Sequence, residues 1–520
     1  MQASAQPLQG TRLAIGAVSV SLAMFMNILD TTIANVSIPS IAGDLGISPD
    51  QGTWIITAYG VALATSLPAS NWLANRLGDM RAFLLSVILF TITSLLCGLA
   101  DSYGMLVLAR ALQGAAAGPM IPLSQVLLLK AFPRSRSSQA LAIWSMTATL
   151  APVFGPILGG VLIDTLSWPW VFYINIPVGV ISVLGAWWIF HAQDSVNVRA
   201  QAAPLDLSGL TLLALFAGCM QIVLDTGQDH DWFESTSIVA LAVISGFALL
   251  AFVIRELNCS APLVDLRLFA DRAFLISTIT LSAGFGICFV SMVLVPMWLQ
   301  LYLGYTATWA GAAMAPVGLV GFLLAPVIGR LLPRVDARLV VTFSLVVLAM
   351  LSILRAQFTS TASFADIAAP QLLLGVVMAT MMAPLMGLAM SNLPSARLNA
   401  ASGLIGFVRL IAASAAVATG AILWERRAAY HRSYLIEHLT AYDPQIIDTL
   451  NSFERAGMRS TEAMAVIEQQ LTAQARMLAL NDVWLASAGA ALLFAGVLWL
   501  ADARRRPDAV RTASLGHSVG

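Results

Sequence analysis

The chain of 520 residues is 58% hydrophobic and only 10% charged, with 27 basic and 27 acidic residues in balance. Soluble domains carry about a quarter charged residues, so apolar surface on this scale belongs in a bilayer, and zero net charge points to neither nucleic acid nor an acidic substrate. The single lysine, Lys130, lies in LLLKAF, which excludes a P-loop ATPase, and the four cysteines lack the CxxC spacing of a metal site or disulfide frame.

A spanning helix needs about 20 mostly apolar residues. After a tail at 1–12, the first such run, Leu13 to Ile41, is long enough to span and no small-residue cleavage site follows it, so no cleaved signal is expected. Its only charge is Asp30, in MFMNILDTTIANVSIP, close to Asn27. The second run, Thr53 to Ala74, carries Tyr59 and leads into the turn LANRLGDMR, with Arg76, Gly78, Asp79 and Arg81. The third is Phe83 to Ala100. The fourth, Met105 to Leu129, holds Arg110 and Gln113 in LARALQGAAAGP, whose glycines and alanines permit close approach of neighbouring helices. The fifth, Ala140 to Ile163, contains Trp144 and then APVFGPILGG. There Pro152 and Pro156 bend a helix, while Gly155, Gly159 and Gly160 leave a stripe without side chains. Such a helix can rock against its partner. Val171 to Phe190 is the sixth.

Two runs, Leu207 to Leu224 and Ser237 to Ile254, lie in an inserted segment at 191–273. Six more follow: Phe274 to Leu301 with Phe289 and Trp298, Ala307 to Leu331, Leu339 to Leu354, Ile367 to Met390 with Met381 and Met386, Ala400 to Trp424 with Arg409, and Val483 to Leu500. A tail at 503–520 closes the chain. The predicted fold is an all-α membrane protein of fourteen spans, with one six-helix bundle at 13–190, an inserted helix pair at 191–273 and a second six-helix bundle at 274–502. The one sizeable polar stretch, 425–482, includes STEAMAVIEQQLTAQARML, free of proline and glycine and apolar at helical spacing. It reads as an amphipathic helix, either a solvated linker or a periplasmic surface for a partner.

Basic residues orient the spans. With the N-terminus inside, Arg76, Arg81, Lys130, Arg134, Arg136, Arg199, Arg255, Arg267, Arg272, Arg330, Arg334, Arg338 and Arg397 all fall on even-numbered turns, and the short outer turns hold only Arg355. Both termini are therefore expected in the cytoplasm. LANRLGDMR after the second span and LLPRVDAR after the tenth are similar apart from one gap. They mark an internal repeat of the two bundles, unless two short basic turns resemble one another by chance.

Ionisable groups within spans cost several kcal/mol to bury, so Asp30, Arg110 and Arg409 are functional candidates. Desolvation favours the neutral form of a carboxylate, which suits Asp30 to taking up and releasing a proton as access alternates; the other reading is a structural acid held by Asn27, Thr31 or Asn35. Arginine does not deprotonate, so Arg110 either tunes a nearby acid or anchors helix packing, and Arg409 carries the same two readings. Arg76, Asp79 and Arg81 either pair with helix ends and acids in one conformation or only set topology. Candidate cavity-lining residues are Asn27, Tyr59, Gln113, Trp144, Phe289, Trp298, Met381 and Met386, because methionines and flat aromatics adapt to varied ligands. An enzyme should show paired acids or a histidine cluster, yet His191, His230, His431, His438 and His517 are scattered.

Taken together, LDTTIANVSIPSIAGDLG, LANRLGDMR, RALQGAAAGP, APVFGPILGG, SWPWVFYINIPVG and LQLYLGYTATWAGAAMAPVG, in this order, resemble the major facilitator superfamily. Within it they are similar to the fourteen-span drug:proton antiporters, specifically the EmrB-type multidrug exporters of Gram-negative bacteria, over nearly the whole chain. The resemblance implies that Asp30 is the proton-coupling acid, Arg110 a relay or charge-tuning residue, and Gly155 with Pro156 the antiporter hinge. It implies an inner-membrane efflux pump for hydrophobic or amphiphilic compounds, driven by the proton gradient without a cofactor. It also implies a periplasmic membrane-fusion adaptor and an outer-membrane channel as partners, which would give the polar stretch a purpose. The turn departs from the general superfamily pattern, with Asn75 in place of an acid and Asp79 in place of a basic residue. Gly406 stands where the branch often has asparagine, and Ala412 and Ala413 replace common glycines. Export of one dedicated metabolite or siderophore would use the same machinery; a membrane enzyme or a channel is the remote alternative.

Overall fold

The structure is a computed structural model that describes residues 10–47, 49–133, 136–190, 206–227, 232–259, 262–332, 334–394, 397–438, 455 and 458–501. The expected tails before residue 10 and beyond 501, the linker at 191–205 and the middle of the polar stretch, 439–454, lie outside the described residues.

The described residues are helical and contain no strand. In the first bundle, α1 is Gly10–Leu45, α2 Pro49–Leu77, α3 Asp79–Gly98, α4 Tyr103–Ala117, α5 Met120–Ala131, α6 Ser137–Thr165, α7 Trp170–Tyr173 and α8 Asn175–Phe190. The fourth span is thus two stacked helices, α4 and α5, parted at Gly118 and Pro119. The inserted pair is α9, Leu207–Thr226, and α10, Thr236–Asn258. The second bundle is α11, Arg272–Tyr302, α12, Ala307–Leu331, α13, Ala337–Arg355, α14, Phe364–Met390, α15, Leu398–His438, and α16, Ser460–Val497. Every predicted span falls on one or two of these elements, the fourth on α4 and α5 and the sixth on α7 and α8. Among the described residues twelve segments are long and apolar enough to cross a membrane, and α2 and α6, 29 residues each, have the length and complete the same bundles.

Lipid exposure is written on single helices. Along α3, Leu85, Ile88, Leu89, Ile92 and Leu96 are exposed at helical spacing, while Phe83, Val87, Phe90 and Ser94 are buried. An apolar stripe of that length would drive aggregation in water, and it is at home against acyl chains. The inserted hairpin is similar: Val243, Ile244, Phe247, Leu250 and Ile254 of α10 face outward. Its base is clamped by Asp206, which caps α9 through the Gly209 N–H at 2.9 Å and accepts from both Nε and Nη2 of Arg255 on α10. Those bonds hold the Asp206 carboxyl below the usual carboxylate range.

Within the first bundle α1 packs on α6 and α8, and α2 on α4; within the second, α11 packs on α15 and α14, and α13 on α14 and α16. The bundles meet where α6 lies along α12 and α2 along α15, and α9 fits beside α2 and α15. At the end carrying the basic turns, Ser402 on α15 donates to Gln125 Oε1 on α5 at 2.5 Å. At the opposite end Gly160 of α6 faces Thr308, whose Oγ1 lies 3.0 Å from where a Cβ would stand. The bundles therefore touch at both ends.

The polar stretch contains more helix than its sequence suggested. α15 runs for 41 residues and α16 for 38. At 1.5 Å per residue each is close to 60 Å long, twice the ~30 Å hydrocarbon core, so both helices project beyond the membrane. Their projecting halves pair through Arg427 and His431 with Asp482, Arg432 with Glu468 at 2.8 Å, and Arg476 with Glu425.

Candidate functional site

Asp30, just past the middle of α1, is fully buried, and so is Arg110 on α4. The arginine Nη1 donates to Asp30 Oδ2 at 2.5 Å and to Gln113 Oε1 at 2.7 Å, while its Nε reaches the Ile55 carbonyl of α2 at 3.3 Å. The second carboxylate oxygen accepts from Gln113 Nε2 at 3.1 Å and from Asn175 Nδ2 of α8 at 2.8 Å. Asn175 is held in turn by Ser94 of α3 at 2.9 Å. The Tyr59 ring lies against the guanidinium, 4.1 Å from centroid to Cζ, and Phe172 lies 5.5 Å away. A buried charge pair is tolerated when its remaining donors and acceptors are met, and here five elements of one bundle converge to do so. Arg110 Nη2 alone has no partner among the described residues. The carboxylate thus faces one guanidinium and two neutral amide donors.

Small residues make this convergence possible. A Cβ on Gly114 would stand 2.2 Å from the Tyr59 carbonyl, and one on Gly118 would stand 2.8 Å from the Leu67 nitrogen, so α4 seats directly on the α2 backbone. A Cβ on Gly155 would stand 2.1 Å from Thr32 Oγ1 and 3.1 Å from the Ile33 nitrogen, which seats α6 on α1 three residues past the acid. Gly155 and Gly160 thus face the two different helices between which α6 runs, α1 and α12; Gly159 is buried, and Pro152 and Pro156 fall within the same helix.

The basic turn has a tight geometry. Gly78 alone separates α2 from α3 and takes φ +84°, where a side chain is strained. Asp79 at the start of α3 pairs with Lys130 at the end of α5. Arg76 lies over the Trp72 ring at 5.7 Å, and Arg81 follows two residues after Asp79 on α3. The departure at Asp79 is therefore matched by the chain's only lysine.

A cavity of about 110 Å³ lies between the bundles, walled by Asn27, Ile28, Thr31 and Thr32 of α1, Leu63 and Leu67 of α2, Ile121 and Ala148. Phe285, Phe289 and Met292 of α11, Met378 and Met382 of α14, and Gly406, Arg409 and Leu410 of α15 close it from the other side. Pockets for drug-sized ligands are ~300–1,000 Å³, several times the volume of this one. Of the candidates read from sequence, Asn27 and Phe289 line it. Asn27 also ties the cavity to the acid cluster, since the Tyr59 hydroxyl donates to its Oδ1 at 3.2 Å and its own amide donates to the Ala117 carbonyl at 2.8 Å.

The other six candidates are placed elsewhere. Tyr59 and Gln113 belong to the cluster around Asp30. Trp144 is buried between α6 and α5, its Nε1 3.3 Å from Ser124 Oγ. Trp298 stacks on Phe358 at 5.9 Å, Met381 packs into the space left by Gly284 on α11, and Met386 is core. The reason is helical phase: Met378 and Met382, four residues apart, point into the cavity, whereas Met381 turns towards α11.

Arg355, expected on an outer turn, is fully buried at the end of α13. It donates to Ser291 Oγ at 2.7 Å and to Gln371 Oε1, and lies 5.2 Å from the Trp484 ring. Gln371 and Arg110 each occupy the eighth position of their helices, α14 and α4, so the two bundles bury a cation at corresponding depth. Among the described residues only the first supplies an acid. The polar Gln371 within an apolar span was the signal in the sequence.

The profile described as Major Facilitator Superfamily matches residues 20–417. The "Multidrug export protein EmrB" of Haemophilus influenzae is 43% identical over 496 residues, covering 95% of this chain and 97% of that protein. Its namesake from Escherichia coli K12 is 41% identical over 95% of this chain and 96% of its own length, and the "Fatty acid resistance protein FarB" of Neisseria gonorrhoeae is 39% identical over 95% and 97%. Among solved structures, a bacterial homologue of the lysosomal transporter Spinster, inward-facing and unoccupied, superposes with a TM-score of 0.55 at 15% identity over 95% of this chain and 98% of its own. The human organic anion transporter MFSD10 gives 0.56 at 13% identity over 94% and 100%. At such identities these last two speak for the fold alone.

Proposed function

This chain belongs to the Major Facilitator Superfamily and is a multidrug export transporter, not an enzyme, and we propose that it works as a proton-driven antiporter of the inner membrane with both termini in the cytoplasm. The observation that carries the coupling is the fully buried Asp30–Arg110 pair, joined through Asn27 and Tyr59 to the cavity between the bundles. With Asp30 ionised, Arg110 is bound to α1 and the first bundle is drawn together around them. A proton arriving from outside neutralises the acid, so the ion pair becomes a weaker contact between a guanidinium that keeps its charge and a neutral carboxyl. The α1–α4 contact then loosens, and α6, seated on α1 at Gly155 and on α12 at Gly160, carries the change to the interface between bundles. Opening to the cytoplasm breaks the Ser402–Gln125 contact, releases the proton and admits cargo. No cofactor takes part; the proton gradient supplies the energy.

For partners, a periplasmic membrane-fusion adaptor and an outer-membrane channel complete the export route. The projecting halves of α15 and α16 are the docking element, with Tyr430 and Tyr434 exposed one turn apart. Everted vesicles test the coupling: adding an exported drug should dissipate a proton gradient with the native protein and not with Asp30→Asn. Unchanged dissipation in the variant contradicts the assignment.

A further inference from the structure

The second bundle buries a polar cluster on the same plan as the one around Asp30, with its charges redistributed. Asp30 is the twenty-first residue of α1 and Ser291 the twentieth of α11, while Arg110 and Gln371 are each the eighth of α4 and α14, and Cys97 and Arg355 each the nineteenth of α3 and α13. The acid of the first bundle thus gives way to a hydroxyl, its cation to an amide and its thiol to a cation. Arg355 donates from Nη1 to Ser291 Oγ at 2.7 Å and from Nη2 to Gln371 Oε1, both neutral acceptors. With Asp30 against Arg110 the first cluster carries no net charge; among the described residues the second keeps the charge of its arginine.

The nearby carboxylates are engaged elsewhere. Asp482, two residues before Trp484 on α16, pairs with Arg427 and His431, and Asp366 accepts from Ser363 where the two cap α14. Arg355 Nε is buried without an acceptor among the described residues, and so is Nε1 of Trp484, whose ring lies 5.2 Å from the guanidinium carbon. Both side chains are fully buried. These two N–H groups only donate, so what meets them must accept, and a guanidinium held out of water is costly unless a counter-charge accompanies it. A neutral acceptor would fill the hydrogen bonds and leave the charge. A dianion would reverse it. We infer that this cluster binds a monovalent inorganic anion, a halide such as chloride, on Arg355 and the Trp484 indole N–H, and that the ion gives the second bundle the negative charge that Asp30 gives the first. Arg355 ends α13 at the outer end, opposite the basic turns, so the ion enters from outside. Asn481, one turn before Trp484, donates to the Phe358 carbonyl at 3.1 Å, and its buried Oδ1 would accept from a water of the ion's hydration shell. None of these residues lines the cavity between the bundles, so the anion is a fixed counter-ion joining α11, α13, α14 and α16, separate from cargo.

The test is thermal melting of the purified full chain in detergent, with sodium gluconate exchanged stepwise for sodium chloride at constant ionic strength. The melting temperature of the native protein should rise with chloride and, once the site is mostly filled, climb by an equal increment for each further tenfold in concentration, as linkage to one site requires. Bromide should act likewise, and sulfate should not. Arg355→Gln should lose the rise. Ser291→Asp, which sets a carboxylate beside the arginine and serves should the glutamine variant fail to fold, should also lose it while melting at least as high without chloride as the native protein does. Trp484→Phe keeps the ring and loses the N–H, so it should need about tenfold more chloride for the same rise. A native melting temperature indifferent to chloride, or a rise of the same size and midpoint in Ser291→Asp, overturns the inference and leaves Arg355 a cation met by neutral groups alone. No readout here involves transport, so the outcome is independent of the proton-exchange reading.

Discussion

Asp30 and Arg110 are eighty residues apart in sequence and 2.5 Å apart in space, and each is the partner that makes the other tolerable. Removing the cation strands a buried carboxylate, so Arg110→Ala should lose transport and ~3–5 kcal/mol of stability, read by transport assay and thermal melting of the detergent-solubilised protein. Arg110→Lys should keep much of the stability and lose most transport, because an ammonium cannot hold Asp30, Gln113 and the Ile55 carbonyl from one planar fork. Equal transport by the lysine variant would show that charge alone suffices. That these two residues matter was legible from the sequence, since charges in apolar runs announce themselves. Their pairing was not, because helical phase decides which side chains meet. The same blindness misplaced Met381 for Met382 and left Arg355 in a turn.

Helix seating is set by residues that have no side chain to offer. The Gly114 position stands 2.2 Å from a backbone oxygen that cannot rotate away, so Gly114→Val should force α4 off α2 and cost on the order of 1–3 kcal/mol or more. A lowered melting temperature together with lost transport is the expected result. Gly406→Ala, whose Cβ would meet only Leu67 at 3.4 Å, should be tolerated in melting and serves as the control. The inserted hairpin offers a pH prediction. Arg255 depresses the Asp206 carboxyl, so the clamp's contribution is fully present above the ordinary carboxylate pKa of ~3.9 and is lost as pH falls through the lower folded value. Melting of the native protein and Asp206→Asn should therefore differ by a constant amount between pH 5 and 8 and converge only in strong acid. Spans were the most legible elements, because a bilayer admits little else than apolar helices of that length. The reach of α15 and α16 was less so, since their projecting halves are held by cross-helix ion pairs that no periodicity reveals.

At the scale of the molecule, the two bundles touch at both ends around a cavity of about 110 Å³. The projecting hairpin should matter to assembly: replacing Tyr430 and Tyr434, both exposed, with serine should abolish co-purification of the proposed adaptor while the protein still purifies folded. The repeat of basic turns anticipated the architecture, with Asp79 opening α3 and Asp336 capping α13 through the Arg338 N–H at 2.9 Å. Which end opens with which protonation state was not legible, because it depends on contacts between bundles. The central claim, that the charge of Asp30 chooses the open end, is tested most directly by distances between paired spin labels. One pair reports the Gln125–Ser402 end and the other the Gly160–Thr308 end, in the native protein and in Asp30→Asn. The account predicts that the variant, fixed in the neutral form, shifts the two distributions in opposite directions. Distributions that coincide with those of the native protein at a pH where its acid is ionised would contradict it.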